Sequence, residues 1–241
     1  MTEAWERFLT NVKGEGRSSP AAWSETYRTG DHCVWDHASP STELIGYILG
    51  ARLPAGARVL DLGCGTGADA IFLAKQNFEA HGVDFSKEAL RLAEQRAGEL
   101  DVSVDWRECS ALNTPFDDGY FDLITDRGCF HHIAGPLRRE YAREIARILR
   151  PGGVLFLRGC RASDDGPFVP VDHNSILENF DQRLFDVGPD TPFFYAVDTG
   201  GIPATAVSIV RRDLSAARGA RSLSFFKRLT KRARMLPSIN Q

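Results

Sequence analysis

Short apolar runs alternate with amphipathic stretches through the middle of the chain, from about residue 57 to residue 160. Helical spacing of apolar residues predicts helices over 67–76, after Ser86, and between Pro136 and the stop at Pro151-Gly152-Gly153. Strands are predicted for five apolar runs, which are ARVLDL (57–62), FEAHGVD (78–84), VSVDWRE (102–108), YFDLITD (120–126) and GVLFLRGC (153–160). This alternation predicts a parallel sheet with helices on both faces.

The last third of the chain is less regular. A short helix near 173–180 precedes a strand at 182–187, and a final strand is predicted at 205–213. A loop rich in proline and glycine separates these two strands, so we expect them to be antiparallel neighbours. The predicted organisation has three parts, which are an N-terminal extension (1–50), an α/β domain (51–213) and a basic C-terminal tail (214–241).

The composition is that of an ordinary globular protein, with 43% hydrophobic residues, 25% charged residues and a net charge of −3. No apolar run approaches the roughly 20 residues that span a bilayer, and the N-terminus lacks the apolar core of a signal peptide. The five cysteines are scattered without a CxxC pair, a pattern typical of reduced thiols and of proteins without structural zinc. We therefore expect a cytoplasmic protein.

The C-terminal tail is basic, since residues 211–234 contain nine Lys or Arg residues and a single acid, Asp213. Apolar residues interspersed among them also fit a basic amphipathic helix that binds membranes or polyanions. We favour a solvated tail, because the segment lies beyond the last predicted strand. The sequence accordingly predicts no nucleic-acid partner and no stable membrane association, and the oligomeric state stays open.

A glycine-rich turn, VLDLGCGTG (59–67), follows the first predicted strand. Gly63 and Gly65 allow a tight turn and let the backbone approach a ligand with no Cβ in the way. In a doubly wound sheet the ligand lies beyond the carboxyl ends of the strands. Asp61, near the end of its strand, is expected close to an amino group of that ligand.

A second acid reinforces this prediction, because Asp84 ends the second strand 17 residues after Gly67. A carboxylate there accepts hydrogen bonds from both hydroxyls of a ribose. The alternative is that the glycines form a plain turn and Asp84 caps the next helix. NAD is disfavoured as the ligand, because the third glycine of the dinucleotide motif is missing and Asp69 lies in the first turn of the following helix.

With this motif the chain resembles the class I methyltransferases over residues 56–212. The resemblance implies S-adenosylmethionine (SAM) as the methyl donor. It also implies a Rossmann-like α/β fold, with a seven-stranded, mostly parallel sheet whose last strand is antiparallel.

A narrower resemblance is to the thiopurine and thiol methyltransferase branch. Four features carry it, which are the aromatic lead-in WSETYRTGDHCVWDH (23–37), Cys109-Ser110, Asp126-Arg127-Gly128 and Gly166-Pro167-Phe168. This chain has one proline before Phe168 where relatives often have two. The resemblance implies a thiol acceptor.

Roles carried over from the resemblance follow the ligand from one end to the other. Phe85 would pack on the adenine and Ser110 would contact its edge, while Arg127 and the N-terminal aromatic residues would close around the methionine part. The predicted cofactor-binding residues are Trp23, Tyr27, Trp35, Asp61, Gly63, Gly65, Asp84, Phe85, Ser110, Ala111 and Arg127. Simple packing of the tryptophans and a structural ion pair of Arg127 remain alternatives.

Catalytic candidates follow the fourth strand, where an acceptor should arrive. His131, His132 or Asp126 would take the proton from a hydroxyl or an amine. Adjacent histidines in an extended segment cannot both face the pocket, and structural roles are equally open to them. Neither the histidine nor the cysteine spacings form a convincing metal set, so no metal is predicted.

The sequence therefore predicts a SAM-dependent methyltransferase that acts on a small molecule by in-line displacement. A thiol is the favoured acceptor. O- or N-methylation with His131 or His132 as the base is the alternative, and a SAM-binding protein without turnover is a hypothesis from another class.

Overall fold

A computed structural model describes residues 19–161, 168–197 and 200–214. The helices are α1 (Pro20–Thr29), α2 (Thr42–Ala51), α3 (Ala68–Lys75), α4 (Lys87–Glu99), α5 (Arg138–Ile148) and α6 (His173–Asn179), with 3₁₀ turns at Asp31–Val34, Phe130–His132 and Gly135–Leu137. The strands are β1 (Arg58–Leu62), β2 (Glu79–Asp84), β3 (Asp105–Glu108), β4 (Phe121–Arg127), β5 (Leu149–Cys160), β6 (Phe185–Val187), β7 (Thr191–Val197) and β8 (Gly200–Arg211).

The strands form one mixed sheet in the order β3-β2-β1-β4-β5-β8-β6. The first five are mutually parallel, whereas β8 runs antiparallel to β5, β6 and β7. The predicted Rossmann-like class is therefore confirmed. Because β1 lies between β2 and β4, the strand order reverses there and opens a crevice at the carboxyl ends of β1, β2 and β4.

In the described part of the chain the sheet has eight strands, one more than the seven that the resemblance implied. The additional strand is β7, which pairs only with the first half of β8, from Thr191 opposite Ala206 to Val197 opposite Gly200. The sequence predicted a loop for this stretch, because it contains Pro192 and lies in a region rich in proline and glycine. A proline lacks the amide hydrogen that a central strand needs, but it is tolerated in an edge strand such as β7.

Several predicted boundaries shift by a few residues. The third strand begins at Asp105 rather than at 102, and β5 begins at Leu149, before the Pro-Gly-Gly stop. Phe121 pairs with Leu149 and Leu123 with Val154, so a bulge in β5 takes up the residues between. The Pro151-Gly152-Gly153 segment therefore follows the end of α5 and lies in the bulge of β5.

Two apolar layers cover the two faces of the sheet. One is built around α5 and α6, with Tyr141, Ile145 and Phe180 fully buried, and the other lies under α2 and α3, with Leu44 and Leu73 fully buried. In the described part of the chain, no helix has the length and apolar character needed to cross a membrane. The basic tail from residue 215 onward lies outside the described residues.

Candidate active site

The glycine-rich loop turns directly after β1 and leaves its backbone close to two other segments. Gly63 and Gly65 have φ values of 72° and 52°, in the left-handed region that glycine adopts at little cost. A Cβ at Gly63 would lie 2.6 Å from Cβ of Cys129, and one at Gly65 would lie 2.7 Å from the hydroxyl oxygen of Tyr27. Glycine is therefore required at both positions by conformation and by space.

Asp84 lies at the end of β2, beside this loop. Its carboxylate accepts hydrogen bonds from the backbone N–H groups of Gly65 (3.0 Å) and Ser86 (2.9 Å), one on each oxygen. Burial raises the pKa of Asp84 to about 6, against the lowering effect of these backbone hydrogen bonds. Each oxygen retains a further acceptor position, so the group fits the two hydroxyls of a ribose.

The predicted adenine contacts lie at the same edge of the sheet. Phe85 follows β2 directly, and the N–H of Cys109, after β3, donates to the carbonyl of Asp84 at 3.0 Å. Ser110 is exposed and accepts a hydrogen bond from the N–H of Leu112 at 3.2 Å. Ala111 lies between them and is half-buried.

The N-terminal segment brings its aromatic residues over the glycine-rich loop. The ring of Trp23 lies 6.3 Å from Tyr27, 6.1 Å from Trp35 and 4.7 Å from His132, measured between ring centroids. Tyr27 is only 8% exposed and reaches Gly65 with its hydroxyl. The predicted aromatic residues therefore meet one another, the loop and a histidine in one place.

Arg127, at the end of β4, takes part in a buried network of charges that sequence reasoning missed. Its Nε lies 3.9 Å from Oδ2 of Asp69, which also accepts a 2.9 Å hydrogen bond from the fully buried Arg158. The alternative of an ion pair for Arg127 thus has a partner. In the sequence, Asp69 indicated only that a diphosphate ligand is disfavoured, and Arg158 belonged to the predicted strand 153–160 without an assigned role.

Asp61 belongs to the same network. Its carboxylate is 3% exposed and accepts a 3.1 Å hydrogen bond from the N–H of Ala70, which anchors the start of α3. Burial, and then the nearby carboxylate of Asp69, raise the pKa of Asp61. Its expected contact with the amino group of a ligand stays a prediction.

His131 is buried, and its ring nitrogen Nδ1 accepts a hydrogen bond from the N–H of Cys160 at 3.1 Å. The neutral ring must therefore carry its proton on Nε2. Burial, together with His132 and then Arg138, lowers the pKa of His131 well below its usual range. His131 is consequently a hydrogen-bond donor in this site, since the nitrogen that would act as a base is already occupied.

Asp126 is placed differently from the expectation. It has no exposed surface, and it accepts hydrogen bonds from the N–H groups of Cys129 (2.9 Å) and Phe130 (3.0 Å) and from the hydroxyl of Tyr141 (2.7 Å). Burial raises the pKa of Asp126 to about 6. Its burial and these three donors argue against the expectation that Asp126 takes the proton.

His132 lies between the N-terminal segment and the segment that follows β5. It is half-buried, with its ring 4.7 Å from that of Trp23 and 5.3 Å from that of Phe168. Gly166 and Pro167 of the predicted loop are outside the described residues. Among the described residues, no group of three or more His, Cys, Asp or Glu side chains could hold a metal ion.

These residues fit SAM by their chemistry. Gly63 and Gly65 leave the loop backbone without side chains beside Cys129 and Tyr27, Asp84 supplies acceptors for a ribose, and aromatic rings attract a sulfonium cation by about 0.5–2 kcal/mol.

Comparison with known proteins agrees with this geometry. Residues 59–153 match the family described as "Methyltransferase domain". The 27-O-demethylrifamycin SV methyltransferase of Amycolatopsis mediterranei is 33% identical over 69% of this chain and 60% of its own length. The ubiquinone biosynthesis O-methyltransferase of Xanthomonas axonopodis pv. citri is 32% identical over 51% of this chain and 54% of its own length. The chain thus spans between half and two thirds of these relatives.

Solved structures share the fold. A protein described by the conversion of a disulfide bond into a thioacetal group during echinomycin biosynthesis superposes with a TM-score of 0.71 at 20% identity, over 89% of this chain and 99% of that one. The 1,6-didemethyltoxoflavin-N1-methyltransferase of Burkholderia thailandensis, solved with S-adenosylhomocysteine (SAH), gives 0.64 at 20% identity, over 88% and 92%. At these identities the likeness concerns the fold alone.

Proposed function

We propose that this chain, whose residues 59–153 form a methyltransferase domain, is a SAM-dependent methyltransferase that methylates an oxygen atom of a small molecule. One observation carries the proposal. The glycine-rich loop and Asp84 form a site at the strand ends, and an aromatic segment links that site to His132.

The cofactor is held by the loop, by Asp84 and by the N-terminal aromatic residues. Gly63 and Gly65 let the backbone approach the amino-acid end, and Asp84 accepts from the ribose hydroxyls. Trp23 and Tyr27 would offer aromatic faces to the sulfonium. Bound SAM supplies an electrophilic methyl group, so that a new oxygen–carbon bond forms as the sulfur–carbon bond breaks and SAH leaves.

Among the predicted groups, His132 is the proposed destination of the acceptor's proton, because its half-buried ring lies between those of Trp23 and Phe168. Nδ1 of His131 accepts from the N–H of Cys160, and Asp126 is enclosed by three donors. Alignment of two reactants at about 3–3.5 Å contributes roughly 7–11 kcal/mol to such a transfer.

The relatives and the local motifs favour different acceptor atoms. The two curated relatives are named for O-methylation. Cys109-Ser110 and Asp126-Arg127-Gly128 instead resemble the thiol-methylating branch. A thiol with a pKa of about 8.5 is partly ionised at neutral pH and needs little help from a base. A thiol is therefore the second candidate, and the two differ in their dependence on His132.

The test compares thiophenol with phenol as acceptors and measures SAH formation in the wild type and in His131→Ala and His132→Ala. For an oxygen acceptor, His132→Ala should lower turnover by about 10²–10⁴-fold. Turnover of the thiol should fall by less than roughly tenfold in either variant. Preference for the thiol with no effect of His132→Ala would reject the oxygen proposal in favour of the thiol.

A SAM-binding protein without turnover is distinguished by the same assay, because it would bind SAH yet give no methylated product with any acceptor.

The role proposed for the N-terminal segment is tested by deleting residues 1–36. This deletion should abolish turnover and leave the domain folded, since the sheet begins only at Arg58. Full activity of the truncated protein would reduce Trp23, Tyr27 and Trp35 to packing residues.

A further inference from the structure

Three polar side chains from separate parts of the chain meet beside the glycine-rich loop. Asp36 follows the first 3₁₀ turn, Thr66 lies within the loop, and Arg96 lies on α4. The hydroxyl of Thr66 donates to Oδ2 of Asp36. Nη1 of Arg96 donates to the hydroxyl of Thr66 at 2.6 Å and to its carbonyl at 3.2 Å, and Nη2 reaches Oδ2 of Asp36 at 3.4 Å. We call these three residues the latch.

The latch connects the N-terminal segment to the glycine-rich loop and to α4. Thr66 is 4% exposed, and the loop around it is fixed by Gly65, which donates to Asp84, and by Gly67, which donates to the carbonyl of Cys64. The side chain of Asp36 is 7% exposed and that of Arg96 is 24% exposed. The hydrogen bonds to the Asp36 carboxylate are therefore largely shielded from water. Hydrogen bonds to an ionised group are stronger than those between neutral groups.

The segment held by the latch covers the site. It includes α1, so it carries Trp23 and Tyr27, and the Tyr27 hydroxyl meets Gly65. A second, neutral contact attaches the same segment, since Oγ of Ser24 lies 3.1 Å from Oγ of Ser86. A ligand at the loop would therefore lie beneath α1 and the first 3₁₀ turn, and movement of this segment would open its exit.

The two attachments differ in strength. The Ser24–Ser86 bond is a single neutral hydrogen bond, whereas the latch combines an ion pair with hydrogen bonds to a shared hydroxyl. Charge-assisted hydrogen bonds are roughly twice as strong as neutral ones. Of these two polar attachments, the one made by Asp36 is therefore the costlier to break.

We propose that Asp36, Thr66 and Arg96 are positioning residues that hold the N-terminal segment closed over the cofactor and thereby set the rate at which SAH dissociates. The inference rests on the proposed function, because it takes SAM and SAH as the ligands of the loop. It assigns a task to Thr66, the threonine of the GCGTG sequence.

The experiment measures SAH dissociation by stopped-flow tryptophan fluorescence, since Trp23 and Trp35 lie on the segment that moves. Asp36→Asn, Thr66→Val and Arg96→Met should each raise the dissociation rate by about tenfold, while the association rate stays the same or increases. Thr66→Ser keeps the hydroxyl and should stay within about twofold of the wild type. Asp122→Asn is the matched control, because it breaks the 2.6 Å ion pair with Arg150 at the opposite edge of the sheet.

Thermal denaturation of every variant separates a positioning role from a structural one. A lower midpoint with an unchanged SAH dissociation rate would overturn the latch, and so would a Thr66→Ser variant as fast as Thr66→Val. Wild-type protein that binds no SAH would overturn the proposed function and the latch with it. SAH binding with the expected rates supports both.

Discussion

The pH dependence of SAH affinity tests the placement of the cofactor through Asp84. Its carboxylate is 7% exposed, and burial raises its pKa to about 6 in the free protein. Ribose hydroxyls donate hydrogen bonds, so they bind the ionised carboxylate in preference to the neutral acid. Binding is therefore strongest above pH 6 and weakens as the pH falls through the pKa of Asp84.

The magnitude follows from the fraction of protein with Asp84 ionised. With a pKa of about 6, roughly one molecule in ten is ionised at pH 5, so the affinity should be about tenfold lower than at pH 8. One pKa unit corresponds to about 1.4 kcal/mol. Isothermal titration calorimetry with SAH from pH 5 to pH 8 measures this fall directly.

An Asp84→Asn variant identifies the group that titrates. The amide cannot ionise, so the variant should bind SAH about 10–100-fold more weakly at pH 8 and show an almost flat profile below it. This control is needed because burial also raises the pKa of Asp126 to about 6. A flat wild-type profile, or a variant that retains the fall, would refute the ribose contact of Asp84.

Two pairs of substitutions test the packing. Gly82→Ala would put a Cβ 2.3 Å from the ring of Trp106 and should lower the free energy of unfolding by about 1–3 kcal/mol. In Gly98→Ala the added Cβ meets no atom within 4 Å, so this variant should stabilise α4 by about 0.5–1 kcal/mol. Thermal denaturation that ranks the two variants otherwise would contradict this packing. Tyr141→Phe removes a donor to a buried carboxylate and should lower the free energy of unfolding by about 1–3 kcal/mol. Tyr195→Phe removes a buried hydroxyl without a described partner and should be nearly neutral. Equal losses of stability in urea denaturation would contradict the assigned bonds.

The fold followed from the sequence wherever the pattern was local. The sequence predicted that the first two strands end at Leu62 and Asp84, and the structure has both ends at these residues. The glycine-rich turn after β1 was also predicted at its observed place. β7 was missed because Pro192 reads as a loop residue unless the neighbouring strands are known. An edge position tolerates proline, and edge positions are defined by topology, which the local pattern does not contain.

The charged network could not have been found by the same reasoning. Asp69 and Arg158 are 89 residues apart, and their 2.9 Å contact exists only because the fold brings the start of α3 close to β5. Both are almost fully buried, which is unusual for charged residues unless they are paired. A charged residue in an apolar strand was the available indication, and it did not identify the partner.

The hydrogen bonds of Asp126 and His131 show what decides the role of a titratable group. By spacing, Asp126, His131 and His132 were all candidates, since Asp126 ends the predicted fourth strand and the two histidines follow it. Their roles diverge through hydrogen bonds with groups 15 and 29 residues away, because the Tyr141 hydroxyl occupies Asp126 and the Cys160 amide occupies Nδ1 of His131.

A base needs a lone pair that is accessible to the acceptor, and occupancy by fixed donors removes it whatever the pKa of the group. Of the three candidates, His132 is the one whose ring lies against Trp23 of the N-terminal segment, at 4.7 Å between centroids. Closure of the segment over the cofactor therefore also sets the position of the base. On this argument, loosening the segment should weaken SAH retention and proton transfer together, whereas damage confined to Asp84 should weaken cofactor binding alone.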